Sequence, residues 1–141
     1  IVVADERATF GLPEVKVGLA ALAGGLVRLP AAVGGALARD MILTGRRLDA
    51  AEALAAGLVS RVAPAGEVMD LARTVAGEIL TASPMSVRES LRAMHTAAGI
   101  PDEIEAIEST SAAMDSLLVS KDTIEGITAF VAKRTPRWTG H

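Results

Sequence analysis

Apolar side chains recur at helical spacing through the second half of the chain. They return every three or four positions over residues 67–81, 84–98 and 101–119. This period places the apolar residues of each segment on one side of an α-helix. The pattern therefore predicts three amphipathic helices, each with an apolar stripe that needs a packing partner.

The predicted helix starts carry further signals. Ser83 precedes Pro84; serine caps free N–H groups, and proline is tolerated at the first helical position. Ser120 has the same capping chemistry and begins a predicted last helix. Gly126 lies inside that helix and lowers its stability by up to about 1 kcal/mol relative to alanine. We therefore expect a side chain packed closely against Gly126.

The first half shows shorter patterns. A β-branched run over residues 1–4, the stretch 8–10 and the alternation over 58–62 predict two or three short strands. Strands this short do not make a stable sheet alone, so we expect them to complete a sheet whose other strands lie outside this chain. A buried strand at the very start would also lack neighbours. The chain is therefore expected to be truncated.

Short helices are predicted between these strands. The apolar segment 26–33 reads as helical, and Pro30 is expected to end or kink it. Residues 35–44 give a clearer amphipathic pattern. The Asp49–Glu52 spacing is typical of a capping box, and Gly57 is placed to stop the helix that follows. The whole chain is thus predicted to hold about six helices.

Composition narrows the function classes. The chain has 141 residues, half of them hydrophobic, and a net charge of −3. Scattered basic residues argue against a nucleic-acid partner, and the absence of cysteine excludes a disulfide framework, a thiolate zinc site and a cysteine nucleophile. Two histidines make no metal-ligand pattern. No apolar run approaches the roughly 20 residues of a membrane span, so a cytoplasmic protein without a membrane partner is expected.

Glu14 is the residue that most suggests chemistry. It follows Pro13 in an otherwise apolar stretch, between Gly11 and Gly18. Glycine permits sharp bends and the close approach of a ligand to the main chain. The residues alone leave two interpretations open: an exposed loop glutamate beside tight turns, or a carboxyl group placed for proton transfer.

Four motifs resemble the enoyl-CoA hydratase/isomerase (crotonase) family, in the order that this family has them. They are Phe10–Glu14 with Gly24–Pro30, then Met41–Arg47, Ala50–Val59 and Ser120–Arg134. The first resembles the stretch that carries the acid/base glutamate of the family. Family members are about twice as long, and the start of this chain resembles the middle of such a protein. The resemblance therefore covers a C-terminal half only.

The resemblance implies an α/β fold of the crotonase type, a spiral of ββα turns. This chain would hold the last turn of that spiral and the C-terminal helical trimerisation region. Residues 1–141 would form the C-terminal part of one domain, with 1–66 as the end of the spiral core and 67–141 as the helical oligomerisation region. A homotrimer or a dimer of trimers is then expected.

The resemblance also implies an acyl-CoA enzyme, most simply one that hydrates 2-enoyl-CoA thioesters. Glu14 matches the second of two acid/base glutamates; the first, and the N–H groups of the oxyanion hole, would lie upstream of Ile1. No cofactor is expected, because coenzyme A is part of the substrate. Alternatives are an enoyl-CoA isomerase, a carnitinyl-CoA dehydratase-like member, or an oligomerising fragment without activity. The fragment alone is expected to be inactive.

Substrate-binding residues also follow from the resemblance. Pro13 and Leu22 would lie on the acyl side of the site, although Ala21 and Leu22 replace a Pro–Gly pair found in many hydratases. That replacement leaves the acyl preference open, and ordinary drift explains it equally well. Phe130 and Lys133, three apart on one predicted helix face, match family positions that contact the adenine and phosphate of coenzyme A across a subunit boundary. Without the resemblance, Phe130 would be assigned to the core and Lys133 to the surface.

Overall fold

The computed structural model describes all 141 residues and is a helix-rich α/β structure, as predicted. In chain order the elements are β1 (Val3–Asp5), β2 (Thr9–Gly11), a 3-10 helix (Glu14–Val17), α1 (Gly25–Val33), α2 (Gly35–Thr44), β3 (Arg47–Asp49), α3 (Ala50–Ala55), β4 (Arg61–Ala63), α4 (Val68–Leu80), α5 (Pro84–Ala97), α6 (Glu103–Glu108), α7 (Ser111–Leu118) and α8 (Lys121–Val131). The chain forms two compact units, Ile1–Thr74 (unit 1) and Val75–His141 (unit 2), and the division falls within α4. The assignment of 1–66 to a spiral core and 67–141 to an oligomerisation region stays a prediction.

Unit 1 contains two sheets of two strands each. β1 and β4 pair in parallel, and β2 and β3 pair antiparallel. The prediction of two or three strands missed β3. The strand predicted over 58–62 is also wrong in its start, since β4 begins at Arg61. The N–H groups of Leu58 and Val59 donate instead to the Ala53 carbonyl oxygen, at 2.9 and 3.2 Å, which makes these residues part of the turn that ends α3.

The core of unit 1 is aliphatic and rich in alanine, as the composition indicates. Its buried members come from β1, α1, α2, β3, α3 and the turn after α3: Ala4, Leu29, Ala38, Met41, Leu48, Ala53 and Val59. The 3-10 helix packs against α2. The 3-10 helix that begins at Glu14 is therefore supported by a helix of the core.

Helix α1 continues through Pro30 to Val33, so Pro30 does not end the helix. The helix extends only three residues past Pro30, and Gly34 then closes it by donating its N–H to the Pro30 carbonyl oxygen. Leu29, just before the proline, is buried in the core. We attribute the tolerance to this packing, because tertiary contacts override a local preference. The predicted stop at Gly57 is confirmed, since Gly57 is left-handed, and the predicted Asp49–Glu52 capping box is present at the start of α3.

Unit 2 is helical. The predicted helices over 67–81 and 84–98 and the helix after Ser120 are confirmed within a residue or two as α4, α5 and α8. The single helix predicted over 101–119 is wrong, because Ser109 and Thr110 separate α6 from α7. Their hydroxyl groups donate to the carbonyl oxygens of Ala106 and Ile107, each at 2.7 Å. Such local bonds compete with the helical ladder.

The final segment, residues 132–141, is called the tail. Trp138 packs on Gly126, where an added Cβ would lie 3.3 Å from Trp138 Cη2. This confirms the expected close partner of Gly126. Trp138 Nε1 donates to the Thr81 carbonyl oxygen at 2.8 Å, so the tail is bound to its own unit at its aromatic residue.

None of the helices combines the length and the apolar character that crossing a bilayer requires.

Candidate active site

Glu14 opens the 3-10 helix directly after Pro13, in unit 1. Its carbonyl oxygen accepts hydrogen bonds from the N–H groups of Gly18 and Leu19, the latter at 3.0 Å. Gly18 closes the turn at φ 76°, a left-handed conformation that glycine adopts without strain. The main chain of Glu14 is therefore held by its own turn.

The Glu14 carboxyl group contains an unpartnered oxygen. Oε2 is buried and has no hydrogen-bond partner, and no other buried side-chain nitrogen or oxygen in the chain is in this state. A buried polar atom without a partner costs free energy, and native proteins hold few of them. Such an atom marks a site where a ligand or an exchanging proton can supply the missing contact.

The loop after the 3-10 helix packs back against the segment that leads into Glu14. A Cβ added at Gly25 would lie 2.8 Å from Ala21 Cβ and 2.9 Å from Leu12 Cδ1. Glycine at this position thus lets Leu12, Ala21 and the start of α1 meet closely. Leu22 follows the buried Ala21 and is 80% exposed, which leaves its side chain available to a ligand.

Exposed apolar side chains are concentrated in residues 17–27. They are Val17, Leu19, Leu22, Leu26 and Val27. The same segment contains no charged and no aromatic residue. A cavity of about 290 Å³ also lies in unit 1, lined by Phe10, Gly11, Leu12, Gly25, Arg28, Leu29, Ala32, Met41 and Leu58. The apolar surface beside Glu14 suits an aliphatic group better than a charged one.

Phe130 and Lys133 lie in unit 2, at the end of α8. Phe130 is 85% exposed and so does not belong to a core. The expectation that both residues share one helix face is wrong, because α8 ends at Val131 and Lys133 lies beyond it. The pattern of the sequence continued the helix, whereas the main chain turns at Lys133.

Lys133 is the only residue other than glycine with a positive φ, at 49°. Its N–H donates to the Phe130 carbonyl oxygen at 3.2 Å, and the N–H of Arg134 donates to the Ala129 carbonyl oxygen at 3.0 Å. These two bonds form a Schellman motif, in which glycine usually takes the position that Lys133 holds. The turn directs the chain away from the helix while it keeps a cation at that point.

Glu125 holds the residues that follow Lys133. Both oxygens of Glu125 accept from the Arg134 guanidinium group, at 2.6 and 2.9 Å, and Oε1 also accepts from the N–H of Arg137 at 2.6 Å. Hydrogen bonds from Arg134, then from Arg137, lower the pKa of Glu125 to about 2. A cavity of about 700 Å³ is lined by Glu125 and by residues 134–137.

Asp122 binds the end of the tail. It is 1% exposed and accepts from Ser83 Oγ at 2.8 Å, from Thr139 N–H and Oγ at 2.7 and 3.1 Å, and from Gly140 N–H at 3.0 Å. Burial opposes the ionisation of Asp122, but the hydrogen bonds from Thr139, Ser83 and Gly140 outweigh it and hold its pKa below the ordinary value.

The predicted site residues fall into two groups. Pro13, Glu14 and Leu22 lie together in one short stretch of unit 1, and Phe130 and Lys133 lie at one turn of unit 2. Sequence reasoning missed Glu125, whose partner Arg134 is nine positions away and beyond the helix end. No spacing rule links such residues, so only the structure could reveal the pair. No group of three His, Asp or Glu side chains could hold a metal ion.

Comparison with known proteins gives a consistent result. The family model described as enoyl-CoA hydratase/isomerase matches residues 1–141. A carnitinyl-CoA dehydratase from Escherichia coli is 37% identical over an alignment of 142 positions, which covers 99% of this chain and 54% of that protein. The chain thus spans about half the length of the curated relatives it matches.

Solved structures show the same relation. The crystal structure of an enoyl-CoA hydratase from Bacillus anthracis matches with a TM-score of 0.93 at 34% identity, over 99% of this chain and 54% of that one. An enoyl-CoA hydratase from Mycobacterium tuberculosis also matches with a TM-score of 0.93, at 35% identity, over the whole of this chain and 56% of the other. These matches confirm the predicted crotonase-like fold. The chain belongs to the enoyl-CoA hydratase/isomerase family.

Proposed function

We propose that the protein to which this chain belongs is an acyl-CoA enzyme that hydrates 2-enoyl-CoA thioesters. The observation that carries the proposal is the buried, unpartnered Oε2 of Glu14. In the proposed reaction, the π bond between the α- and β-carbons breaks as the carboxyl group of Glu14 gives a proton to the α-carbon and the oxygen of water bonds to the β-carbon. The proton that water loses passes to the first acid/base glutamate, which the family resemblance places upstream of Ile1. In the reverse direction the carboxylate of Glu14 removes the same proton.

The surroundings of Glu14 support this role. The main chain of Glu14 is held within its turn, so the carboxyl group can be presented in one position. Proximity and a fixed orientation lower the barrier to proton transfer. No hydrogen-bond donor of the chain occupies Oε2, which leaves that oxygen free for the transferred proton.

The acyl group is proposed to lie on the apolar residues 17–27, with Leu22 and Pro13 beside it. A second candidate function is dehydration of carnitinyl-CoA, because relatives of that name match the whole chain. A quaternary ammonium group is bound best by aromatic rings or carboxylates. Residues 17–27 contain neither, which favours an aliphatic acyl group.

Coenzyme A is proposed to contact the turn at the end of α8. Phe130 presents an exposed ring that could stack on the adenine, and Lys133 presents a cation for a phosphate. No cofactor beyond the substrate is required by this chemistry.

The test is the Glu14→Gln variant of the full-length protein. Glutamine keeps the shape of the side chain but removes the acid, so turnover of crotonyl-CoA should fall by about 10²–10⁴-fold. The melting temperature should change little, because no cavity forms. Glu103→Gln, on the exposed surface of α6, is the matched control and should leave both unchanged. Turnover by the Glu14→Gln variant within threefold of the wild-type value would contradict the catalytic role of Glu14.

Self-association is the second part of the proposal. In unit 2, large apolar side chains of α5, α6 and α7 are more than half exposed: Leu91, Met94, Ile104, Ile107, Met114 and Leu118. Such exposed surface is typical of an interface. We propose a homotrimer or a dimer of trimers for the full-length protein. Light scattering at micromolar concentration checks it, and a monomer would remove this part of the proposal.

A further inference from the structure

We propose, on the basis of the proposed function, that Glu125 is a positioning residue for coenzyme A binding. It holds the turn at the end of α8 so that Lys133 meets a phosphate of the substrate. Glu125 itself does not touch the substrate in this proposal. It acts through Arg134 and through the main chain of Arg137.

Lys133 needs support from elsewhere because its conformation is unfavourable. A left-handed conformation is disfavoured for lysine, since its Cβ approaches the following carbonyl oxygen. The two hydrogen bonds of the Schellman motif close the turn, but they fix only the residues up to Arg134. The chain beyond Arg134 would otherwise be free to unwind the turn and release Lys133 into an ordinary conformation.

Glu125 supplies that support on the far side of the turn. Its two oxygens accept a bidentate pair of hydrogen bonds from the guanidinium group of Arg134, and Oε1 also accepts one from the N–H of Arg137. The residues that follow Lys133 are thus bound to the middle of α8. The Glu125 side chain is 21% exposed and that of Arg134 is 42% exposed, so the contact is partly shielded from water.

Charge alone would argue against a glutamate at this place. A carboxylate close to a cation that binds phosphate repels the phosphate. A glutamate at position 125 is explained if its effect on the geometry of the turn outweighs this repulsion. Arg134 also reduces the repulsion, because its guanidinium group neutralises the carboxylate. The two effects have opposite signs when Glu125 becomes neutral. Lost repulsion would strengthen coenzyme A binding, whereas lost positioning would weaken it.

The experiment measures KM and kcat of the full-length enzyme with crotonyl-CoA and with the corresponding pantetheine thioester, which lacks the nucleotide. Glu125→Gln should raise the KM for crotonyl-CoA by about fivefold while kcat stays within twofold. The KM for the pantetheine thioester should not change. Asp70→Asn, which breaks an exposed ion pair with Arg73 on α4, is the matched control and should change neither constant.

A second variant separates geometry from charge and guards against misfolding of the first. Arg134→Lys keeps the positive charge but loses the planar fork that matches a carboxylate. It should raise the KM for crotonyl-CoA by a similar factor. An unchanged or lowered KM in both variants would overturn the positioning role, as would an equal rise with the pantetheine thioester.

A double-mutant cycle connects Glu125 to Lys133. Lys133→Ala should raise the KM for crotonyl-CoA, and adding Glu125→Gln should raise it no further, because the two changes remove one interaction. Independent, multiplying effects would overturn the proposal. No effect of Lys133→Ala would overturn both the proposed coenzyme A site and this inference. An effect of Lys133→Ala without one of Glu125→Gln would overturn the inference alone.

Discussion

Two acidic side chains of this protein are surrounded in opposite ways. Asp122, in unit 2, is buried and accepts four hydrogen bonds, from Ser83, Thr139 and Gly140. Glu14, in unit 1, has a buried oxygen that accepts none. The Asp122 carboxylate fixes a segment of the chain through its hydrogen bonds, whereas Glu14 Oε2 keeps its capacity to accept a hydrogen bond.

This difference in hydrogen bonding indicates a structural role for Asp122 and a ligand-binding or catalytic role for Glu14. A saturated carboxylate stabilises structure, because every donor around it would lose its partner if it were removed. An unsaturated one has little to contribute to stability, and its free oxygen is available to an added molecule. The substitution of Asp122 should therefore change stability and spare turnover, whereas that of Glu14 should do the reverse.

The largest stability effect is expected for Asp122→Ala. The change leaves Ser83, Thr139 and Gly140 without their acceptor in a buried site. The melting temperature should fall by about 5–10 °C, while kcat of the folded protein stays within threefold. Asp122→Asn keeps one acceptor oxygen and should lose less. Thermal melting with parallel turnover assays checks this, and unchanged melting of Asp122→Ala would contradict the structural role.

A smaller effect of the opposite sign is expected for Lys133→Gly. Glycine adopts the left-handed conformation freely, so the protein should gain roughly 0.5–1 kcal/mol of stability, and its affinity for coenzyme A esters should fall. Lys133→Ala is the control, because it loses the same cation but keeps the conformational strain. If the two variants melt at the same temperature, the positive φ at position 133 does not destabilise the folded protein, and the prediction is contradicted.

The smallest effect is a change in the acid dependence of stability. The pKa of Glu125 in the folded protein is lowered to about 2, and that of Asp122 is also lowered. The ionised carboxylates of Glu125 and Asp122 therefore stabilise the folded state. Their contributions to the free energy of unfolding are complete above the ordinary carboxyl pKa near 4 and disappear as the pH falls. Melting temperature should thus be steady from about pH 7 to 5 and decrease between about pH 4 and 2. Glu125→Gln should show a shallower decrease, and an identical pH profile would contradict the ion pair.

Local chemistry explains which parts of the fold could be predicted. The Asp49–Glu52 capping box and the caps at Ser83 and Ser120 depend on neighbours in sequence, and all three were found. The break at Ser109 and Thr110 was missed because the helical spacing of apolar residues continues across it, while the hydroxyl groups of Ser109 and Thr110 bond to nearby carbonyl oxygens. Strand β3 was missed because Leu48 is its only apolar residue and its pairing with β2 depends on the three-dimensional fold.

The site was predicted to a lesser extent. Glu14 stands out in the sequence through its unusual setting and through the family resemblance, but its unpartnered oxygen is a property of packing that no sequence pattern contains. Lys133 is a candidate only by resemblance, and the sequence pattern placed it on a helix face that does not reach it. The Glu125–Arg134 pair joins residues on either side of a turn, and its existence depends on the main-chain direction at Lys133.

Proton transfer by Glu14 is tested most directly by hydrogen exchange at the α-carbon of butyryl-CoA, a saturated thioester that cannot be hydrated. The full-length wild-type enzyme in D₂O should exchange the α-hydrogen for deuterium, as followed by mass spectrometry. Glu14→Gln should exchange at least about 10²-fold more slowly, with Asp122→Asn close to wild type. Exchange by Glu14→Gln within threefold of the wild-type rate would contradict the central claim.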